Sequence, residues 1–184
     1  MKLMFASDIH GNALKTKELL EVYERENAQK LMLLGDLLYF GPRNSLTEGY
    51  DPQSVIRLLN ENKENLLCVR GNCDAEVDQM VLDFPIMAEY AYLCVDGYTM
   101  FLTHGHKINM DNATMLKSGE ILIHGHTHVQ CIESFGEGNL YINPGSTTYP
   151  KEGNPPTYMI YEGGVFEIKH LHSGEVLNRI ELEK

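Results

Sequence analysis

Short apolar runs alternate with amphipathic segments along the first half of the chain. The runs at 2–7, 31–34 and 66–69 have the length and composition of buried strands. Between the first two, apolar residues recur at helical spacing over Ala13–Glu26, and a second helix is expected to begin at Pro52. This strand–helix–strand rhythm predicts an α/β domain whose first strands are parallel.

The second half of the chain predicts a hairpin followed by many short strands. Two alternating segments flank Asp96-Gly97, a strong signal for a two-residue hairpin turn. A short helix is expected around 112–116. Strands are expected at 90–95, 98–103, 121–123, 129–134, 139–142, 157–161, 165–171 and 175–182. Nothing in the pattern marks a domain boundary, so we expect one domain over 1–184 with two packed mixed sheets and helices outside.

Composition and charge restrict the class of partner. The chain has 15 Lys and Arg against 26 Asp and Glu, a formal net charge of −11. Long nucleic acids and anionic membrane surfaces would be repelled by this charge. No apolar run is long enough to span a bilayer, and the chain start becomes polar too soon for a signal peptide. The four scattered cysteines are expected to be reduced, and a cytoplasmic protein is expected.

Polar side chains typical of metal sites follow the ends of five predicted strands. Each segment alone has an ordinary explanation as a helix cap or a turn. Together they hold six of the eight histidines, and the carboxyl ends of strands in an α/β sheet are where ligands bind. The residues are Asp8, His10, Asp36, Asn72, His104, His106, His124, His126 and His128.

The donor types indicate which metals would bind. Carboxylates, imidazoles and one amide oxygen, without a cysteine cluster, suit Mn²⁺, Fe or Zn²⁺ in a reactive site better than a structural zinc site. The candidate ligands exceed what one ion needs while leaving room for water, so we expect two ions sharing a ligand. They are Asp8, His10, Asp36, Asn72, His104, His126 and His128.

The order of these motifs resembles a known family. D-x-H, G-D, G-N, H-G-H and G-H-x-H follow one another as in the calcineurin-like metallophosphoesterases. The segments MKLMFASDIHG, RGNCD, FLTHGH, GHTH and NPGS are most similar to the small bacterial phosphodiesterases of the YfcE type. The similarity extends from the N-terminus to about Pro155, so it covers most of the chain.

The resemblance implies a fold and a chemistry. The fold is a four-layer αββα sandwich of two mixed sheets flanked by helices. The activity is that of a binuclear phosphodiesterase, in which a metal-bridging hydroxide attacks a small phosphodiester in line with the leaving group. Two divalent ions are implied, with Mn²⁺ preferred and Fe or Zn²⁺ as alternatives. A bridging carboxylate would hold such ions roughly 3.5–4 Å apart, close enough for both to bind one phosphoryl group.

The resemblance also assigns the ligands. One ion would be held by Asp8, His10 and His128. The other would be held by Asn72, His104 and His126, with Asp36 bridging both.

The sequence departs from the wider family next to Asn72. Many members have a histidine there that protonates the leaving oxygen, whereas this chain has Cys73 followed by Asp74, as the YfcE-type subgroup does. Cys73 and Asp74 are candidate catalytic residues, although a thiol is a poor proton donor for this purpose and an aspartate is ordinarily ionised. His106 either supplies the proton or orients a ligand.

The sequence gives expectations for four further places. Arg43 and Asn44, in the loop after Asp36, either contact the phosphate ester or belong to an exposed loop. Asn12 is expected to cap the first helix. The segment 143–146 is expected to form a tight turn beneath the site, and the apolar segment 84–88 either packs in the core or forms an interface between copies of the chain.

The alternative function is an interaction scaffold on the same fold, with little or no catalysis. The retromer subunit of this family is of that kind. A scaffold could lose its ligand histidines, yet all the ligand types stand intact here, so an enzyme is favoured. The absence of a basic and aromatic run favours small diesters over long nucleic acids. The substrate and the oligomeric state, including a homo-oligomer, stay open.

Overall fold

Two mixed β-sheets packed face to face form the centre of the protein. The computed structural model describes residues 1–182, so the expectation of a domain ending at 184 extends beyond the described residues. The strands are β1 (Lys2–Ala6), β2 (Lys30–Leu33), β3 (Leu66–Cys68), β4 (Tyr90–Val95), β5 (Tyr98–Thr103), β6 (Ile121–Ile123), β7 (Cys131–Phe135), β8 (Asn139–Asn143), β9 (Thr157–Glu162), β10 (Val165–His170) and β11 (Val176–Glu181). The helices are α1 (Ala13–Glu26), α2 (Pro52–Glu61) and α3 (Glu76–Gln79), with a 3₁₀ turn at Lys63–Asn65.

Each sheet combines parallel and antiparallel strands. The first sheet has the order β11-β10-β9-β1-β2-β3, in which β1, β2 and β3 are parallel and β9 runs antiparallel to β1. The second has the order β4-β5-β6-β8-β7, in which β5, β6 and β8 are parallel and the two edge strands are antiparallel. In both sheets the parallel strands lie in neighbouring positions, so their carboxyl ends lie side by side.

The alternation of side chains along β1 explains the layers. Leu3 and Phe5 point into the apolar core between the two sheets, and both are buried. Met4 and Ala6 point to the opposite face, where they pack against α1 and α2. Because successive residues of a strand face opposite sides, one fully apolar strand can contribute to two cores.

The two longer helices begin where the sequence predicts. The Asn12 side chain accepts a hydrogen bond from the backbone N–H of Lys15, which confirms that Asn12 caps α1. At the start of α2, the Asp51 side chain accepts from the backbone N–H of Ser54, and Pro52 occupies the first turn.

The outer face of the second sheet is covered by an irregular segment. Phe101, Leu122 and Tyr141 are buried there beneath apolar residues of the chain between β5 and β6, including Ile108 and Leu116. The fold itself is the predicted α/β metallophosphoesterase arrangement. On this face, however, the covering layer is formed by turns.

The helix expected at 112–116 is therefore wrong. Asn112 accepts a hydrogen bond from the backbone N–H of Asn109 and donates one to the carbonyl of Lys107. Asn109 in turn donates to the carbonyl of Gly105. Asparagine side chains that bond to nearby backbone groups compete with helical hydrogen bonds, so this segment forms turns.

The other elements agree closely with the pattern. Each predicted strand forms, with ends within two residues of the predicted ones, and the turn at Asp96-Gly97 joins β4 to β5. Phe84 and Ile86 are buried in the core beside the helices, so core packing is the correct interpretation of that segment. The four cysteines are free thiols. Within residues 1–182, no helix has both the length and the apolar character needed to cross a bilayer.

A partly buried ionic cluster joins the end of α1 to the first sheet. The Glu26 carboxylate accepts hydrogen bonds from Lys2 at 2.9 Å, Lys169 at 2.6 Å and the hydroxyl of Tyr158 at 2.8 Å. Burial alone would raise the pKa of Glu26, but these three donors lower it from 4.5 to about 2. The ionised carboxylate therefore stabilises the folded protein more than the unfolded chain.

Glu26→Gln is expected to lower the free energy of unfolding at pH 7 by about 1–3 kcal/mol, because charge-assisted hydrogen bonds are lost. Since folding depresses the pKa of Glu26, the difference between wild type and variant should be complete above pH 4.5 and should vanish as the pH falls towards about 2. Urea unfolding at several pH values measures it. Glu21→Gln, at an exposed pair on the same helix, is the control and should cost less than about 0.5 kcal/mol.

Candidate metal centre

Five loops that follow strands of both sheets meet at one edge of the molecule. Asp8 and His10 follow β1, and Asp36 follows β2. The other three loops follow β3, β5 and β6 and carry Asn72, His104, His126 and His128. The structure thus brings the predicted ligand positions together, although they are separated by up to 120 residues of sequence.

The first group of donors consists of Asp8, His10 and His128, all buried. The Nε2 atom of His128 lies 3.2 Å from Oδ1 of Asp8, and Nε2 of His10 lies 3.7 Å from the same oxygen. The two Nε2 atoms are 3.4 Å apart. This is a set of one oxygen and two nitrogens facing a common point.

The second group lies around the Asp36 carboxylate. Nε2 of His104 is 3.5 Å from Oδ2 of Asp36, 3.0 Å from Oδ1 of Asn72 and 3.2 Å from Nδ1 of His126. Asp36 Oδ2 also lies 3.7 Å from Nε2 of His10, which belongs to the first group. The Asp36 carboxylate is therefore in contact with both groups.

Backbone carbonyls orient three of the histidines. Nδ1 of His10 donates to the carbonyl of Tyr39 at 2.7 Å, and Nδ1 of His128 donates to that of Tyr149 at 2.6 Å. His104 does the same with the carbonyl of Leu34 at 2.6 Å. A histidine that donates through Nδ1 keeps the lone pair of Nε2 for a metal ion.

An unpartnered buried oxygen supports the same interpretation. Oδ1 of Asp8 has no solvent contact and no hydrogen bond of acceptable geometry within the described residues. Leaving a buried carboxylate oxygen without a partner is costly unless a cation binds it. The residues present therefore fit a divalent metal ion.

The backbone of the cluster is strained. Asp8, His10, Asp36, His126 and His128 all have positive φ angles, between 50° and 67°. This left-handed conformation is uncommon for residues other than glycine, and non-glycine examples concentrate at functional sites. Turning the backbone in this way directs each side chain towards the centre of the cluster.

The pKa values of the clustered side chains are shifted in different directions. Burial alone would raise the pKa of Asp8, but the neighbouring His10 and His128 hold it well below its ordinary value. Burial and the charge on His104 lower the pKa of His126 to about 4. Burial opposes a charge on His104 too, but Asp36 and Asp8 raise its pKa to about 9, so a cation bound there would displace a proton.

A buried carboxylate joins the loops after β2 and β3. Asp74 accepts hydrogen bonds from the backbone N–H groups of Asp36 at 2.9 Å, Leu37 at 2.8 Å and Gly71 at 2.7 Å. It is almost fully buried and is not among the residues that line the neighbouring cavity. Its carboxylate is therefore occupied by backbone donors beneath the site.

The two loops approach so closely that only glycine fits. A Cβ added at Gly71 would collide with Oδ1 and the backbone nitrogen of Asp36. One added at Gly35 would collide with the backbone of Gly71. The position of Asp36 at the centre of the site therefore depends on these two glycines.

The segment that follows β8 supports the first ligand loop from below. The hydroxyl of Ser146 donates to the carbonyl of Asp8 at 3.0 Å, and that of Thr148 donates to the carbonyl of Ile9 at 2.7 Å. Gly145 donates through its backbone to the Asn143 side chain at 2.8 Å. The segment is held by this side-chain bond, while no backbone hydrogen bond closes a turn over 143–146, and its hydroxyls support the ligand loop.

A cavity of about 240 Å³ opens beside the donors. Its lining includes five of the donors, which are His10, Asp36, Asn72, His126 and His128. It also includes Arg43, Asn44, Cys73 and Lys151. Cys73 lies close to the donors, because its ligand atom and those of His10 and Asp36 are all within 4.8 Å of one another.

The two cations that line this cavity, Arg43 and Lys151, have no ion pair within the described residues. Arg43 is exposed, and Asn44 beside it donates to the carbonyl of Phe40 at 2.7 Å. Lys151 is a residue that the sequence analysis missed. Its only sequence signal is a positive charge shortly after the segment 143–146, and its proximity to the site arises because its backbone N–H bonds to the carbonyl of His128 at 3.1 Å.

Cys73 and His106 occupy different places. The backbone N–H of Cys73 donates to Oδ1 of Asp36 at 2.8 Å, while burial and the Asp36 charge raise the pKa of its thiol to about 12. His106 is half-buried and is not among the residues that line this cavity, and its ring centroid lies 5.4 Å from that of His104 and 6.1 Å from that of His126. Its Nδ1 is buried without a hydrogen-bond partner in the part of the chain described.

Comparison with known proteins agrees with this geometry. Residues 1–163 match the model of the calcineurin-like phosphoesterase superfamily domain. The chain belongs to this family. The phosphoesterase is 43% identical over 182 residues to phosphodiesterase YfcE of Escherichia coli K12, covering 99% of this chain and 98% of that one. The solved structure of Escherichia coli YfcE, a phosphoesterase, superimposes with a TM-score of 0.96 over the full length of both chains.

More distant relatives share the fold. Phosphodiesterase MJ0936 of Methanocaldococcus jannaschii is 25% identical over 153 residues, covering 79% of the phosphoesterase and 83% of MJ0936. Vps29 of Entamoeba histolytica, solved in complex with Zn²⁺, has a TM-score of 0.60 at 19% identity, covering 98% and 99% of the two chains. The predicted family, fold and enzyme class, a phosphodiesterase hydrolase that uses divalent metal ions, are confirmed.

Gly71→Ala is expected to abolish Mn²⁺ binding measured by isothermal titration calorimetry, because the new methyl group displaces the Asp36 carboxylate. Gly138→Ala is the control. Gly138 lies in the turn before β8, has a positive φ of 79° and has open space around it. This variant should lose only about 1 kcal/mol of stability and should bind Mn²⁺ as the wild type does. Unchanged Mn²⁺ binding by Gly71→Ala would show that metal binding does not require Asp36 in its observed position.

Proposed function

We propose that this protein hydrolyses small phosphodiesters with two divalent metal ions, Mn²⁺ being preferred over Fe or Zn²⁺. The observation that carries the proposal is the convergence of seven donor side chains beside a cavity that is also lined by two cations without ion pairs. The cations are notable in a chain with a net charge of −11, because they can attract an anion to one point of an acidic protein. The whole chain would act as one domain.

Each ion would have its own ligands and share one. Asp8, His10 and His128 would hold the first ion, since their donor atoms face a common point. Asn72, His104 and His126 would hold the second. Asp36 would bridge the two, which is supported by its contacts with His10 on one side and His104 on the other.

Divalent ions held by these ligands would supply charge neutralisation and would lower the pKa of a water, as in-line attack on phosphorus requires. The chain supplies positioning. Arg43 and Lys151, which line the same cavity as the donors, would bind the non-bridging oxygens of the diester. Arg43 is suited to two parallel hydrogen bonds. Asn44 is held by its bond to the carbonyl of Phe40 and would contact an ester oxygen.

Among the described residues beside the metal ligands, we assign no side chain as the proton donor to the leaving oxygen. Cys73 keeps its proton because its pKa is raised, and a thiol transfers that proton poorly. The ring of His106 packs beside those of His104 and His126 and does not line the cavity, so we assign it an orienting role for these two residues. The leaving oxygen would therefore depart without prior protonation.

A scaffold function without catalysis is the weaker alternative. Vps29 shares the fold, but likeness at 19% identity concerns the fold alone. A scaffold does not require the complete donor set or the two cations that line the cavity, so an enzyme is favoured. We also propose a cytoplasmic location, supported by the four free thiols.

The wild type is expected to hydrolyse bis(nitrophenyl) phosphate when Mn²⁺ is added and to lose this activity after chelation. Asp36→Ala should abolish the activity and lose both ions, because one carboxylate contacts both groups. His128→Ala should lose mainly one ion and His104→Ala mainly the other. Metal content per chain by mass spectrometry and the rate of nitrophenol release are measured together.

His172→Ala is the control for this series. His172 is largely exposed and far along the chain from the ligand loops, so the variant should keep both ions and full activity. Asp36→Ala with two ions per chain would refute the bridging assignment. A wild type that is inactive with every divalent ion tested would refute the catalytic proposal.

The leaving group is expected to control the rate. A nitrophenyl diester, whose leaving group is stable as an anion, should react far faster than a dialkyl diester. Cys73→His would add an imidazole beside Asp36, and a well-placed general acid accelerates such reactions by about 10²–10⁴-fold. The gain should appear in kcat/KM for the alkyl diester and be small for the nitrophenyl diester.

Cys73→Ser serves as the matched control, since it changes the thiol without adding an acid of suitable pKa. Metal content is checked in each variant. Equal wild-type rates on alkyl and nitrophenyl diesters would contradict the absence of a proton donor. Equal slowing of both substrates in Cys73→His would instead point to a steric clash with the metal ligands.

A further inference from the structure

A second cavity, of about 370 Å³, adjoins the metal centre. It lies between β7 and β8 on one side and the irregular segment that covers the second sheet on the other. His126 lines both this cavity and the one that faces the metal ligands. A molecule bound at the metal centre can therefore extend past His126 into the second cavity.

The walls of the second cavity are of two kinds. Met110, Val129 and the buried ring of Tyr141 provide apolar surface. The remaining wall carries three carboxylates, from Asp111, Glu133 and Glu152. None of these carboxylates forms an ion pair with another described residue, and the lining residues include no lysine or arginine.

The two cavities therefore have opposite charge. Lys151 lines the first and Glu152 the second, although they are neighbours in one turn. That turn is fixed by the bond from the Lys151 backbone to the carbonyl of His128, and Glu152 has a left-handed φ of 55°. A single turn thus presents a cation to the phosphate side and a carboxylate to the other side.

We infer that the second cavity binds a cationic organic substituent of the phosphodiester, such as a quaternary ammonium alcohol. Apolar surface accommodates the alkyl groups around the nitrogen, while unpaired carboxylates favour its charge. The preferred substrate is then zwitterionic, with its phosphate against Arg43 and Lys151 and its ammonium group near Glu133. This inference rests on the proposed phosphodiesterase activity and names its substrate class.

The test compares two diesters that differ in one atom. Nitrophenyl phosphorylcholine carries a trimethylammonium group, and the nitrophenyl 3,3-dimethylbutyl phosphodiester replaces the charged nitrogen with carbon. Consumption of each by the Mn²⁺-loaded protein is followed by ³¹P NMR, so that cleavage of either ester bond is counted. We expect kcat/KM for the charged diester to exceed that for the neutral diester by at least about fivefold, because several exposed carboxylates act on the ammonium group together.

Glu133→Gln should lower this ratio, and Glu133→Lys should bring it below one. Glu137→Gln is the matched control, because Glu137 is an exposed acid in the turn after β7 and is not among the cavity residues. It should leave the ratio as in the wild type. A wild-type ratio near one, or a ratio that Glu133→Lys does not change, would overturn the inference.

Hydrolysis of bis(nitrophenyl) phosphate distinguishes failure of the cationic subsite from failure of the proposed phosphodiesterase activity. If this diester is hydrolysed while the charged and neutral diesters react equally, the phosphodiesterase stands and the cationic subsite is refuted. If none of the three diesters is hydrolysed with Mn²⁺, the proposed function fails and the inference fails with it.

Discussion

Three backbone N–H groups from two loops converge on the Asp74 carboxylate, and the geometry of the site depends on this interaction. The loops after β2 and β3 are held so close that glycine is required at Gly35 and Gly71. Asp36 is thereby fixed between the two groups of histidines. An aspartate that never contacts the cavity sets the position of the residue at its centre.

The two sheets contribute different halves of the site, and hydrogen bonds between loops hold the halves in register. Asp8, His10, Asp36 and Asn72 come from the first sheet, whereas the remaining histidines come from the second. Ser146 and Thr148, beyond β8 of the second sheet, bond to carbonyls of the first ligand loop. The apolar core between the sheets brings the strand ends near each other, and these polar bonds fix the final positions.

Much of the fold and the ligand cluster could be predicted because both leave local signals. The cap at Asn12 and the Asp96-Gly97 turn act through neighbouring residues, and motifs at strand ends identify an edge of a sheet. The turns at 112–116 could not be predicted, since the side chains of Asn109 and Asn112 bond to nearby backbone groups and so compete with helical hydrogen bonds. The roles of Asp74 and Lys151 could not be predicted either, because each depends on contacts with backbone groups that only the folded chain brings near.

The left-handed backbone at five donor residues links the supply of metal to the lifetime of the protein. Each such conformation costs about 1 kcal/mol, against a net stability of about 5–15 kcal/mol for a typical domain. Packing must offset this cost when no ion is bound, whereas an ion that binds only the folded state adds stability by mass action. Binding of an ion to the folded state would therefore lower the population of open chains, which is the form that proteases digest. The strain of the donor backbone would thus make resistance to proteolysis depend on metal.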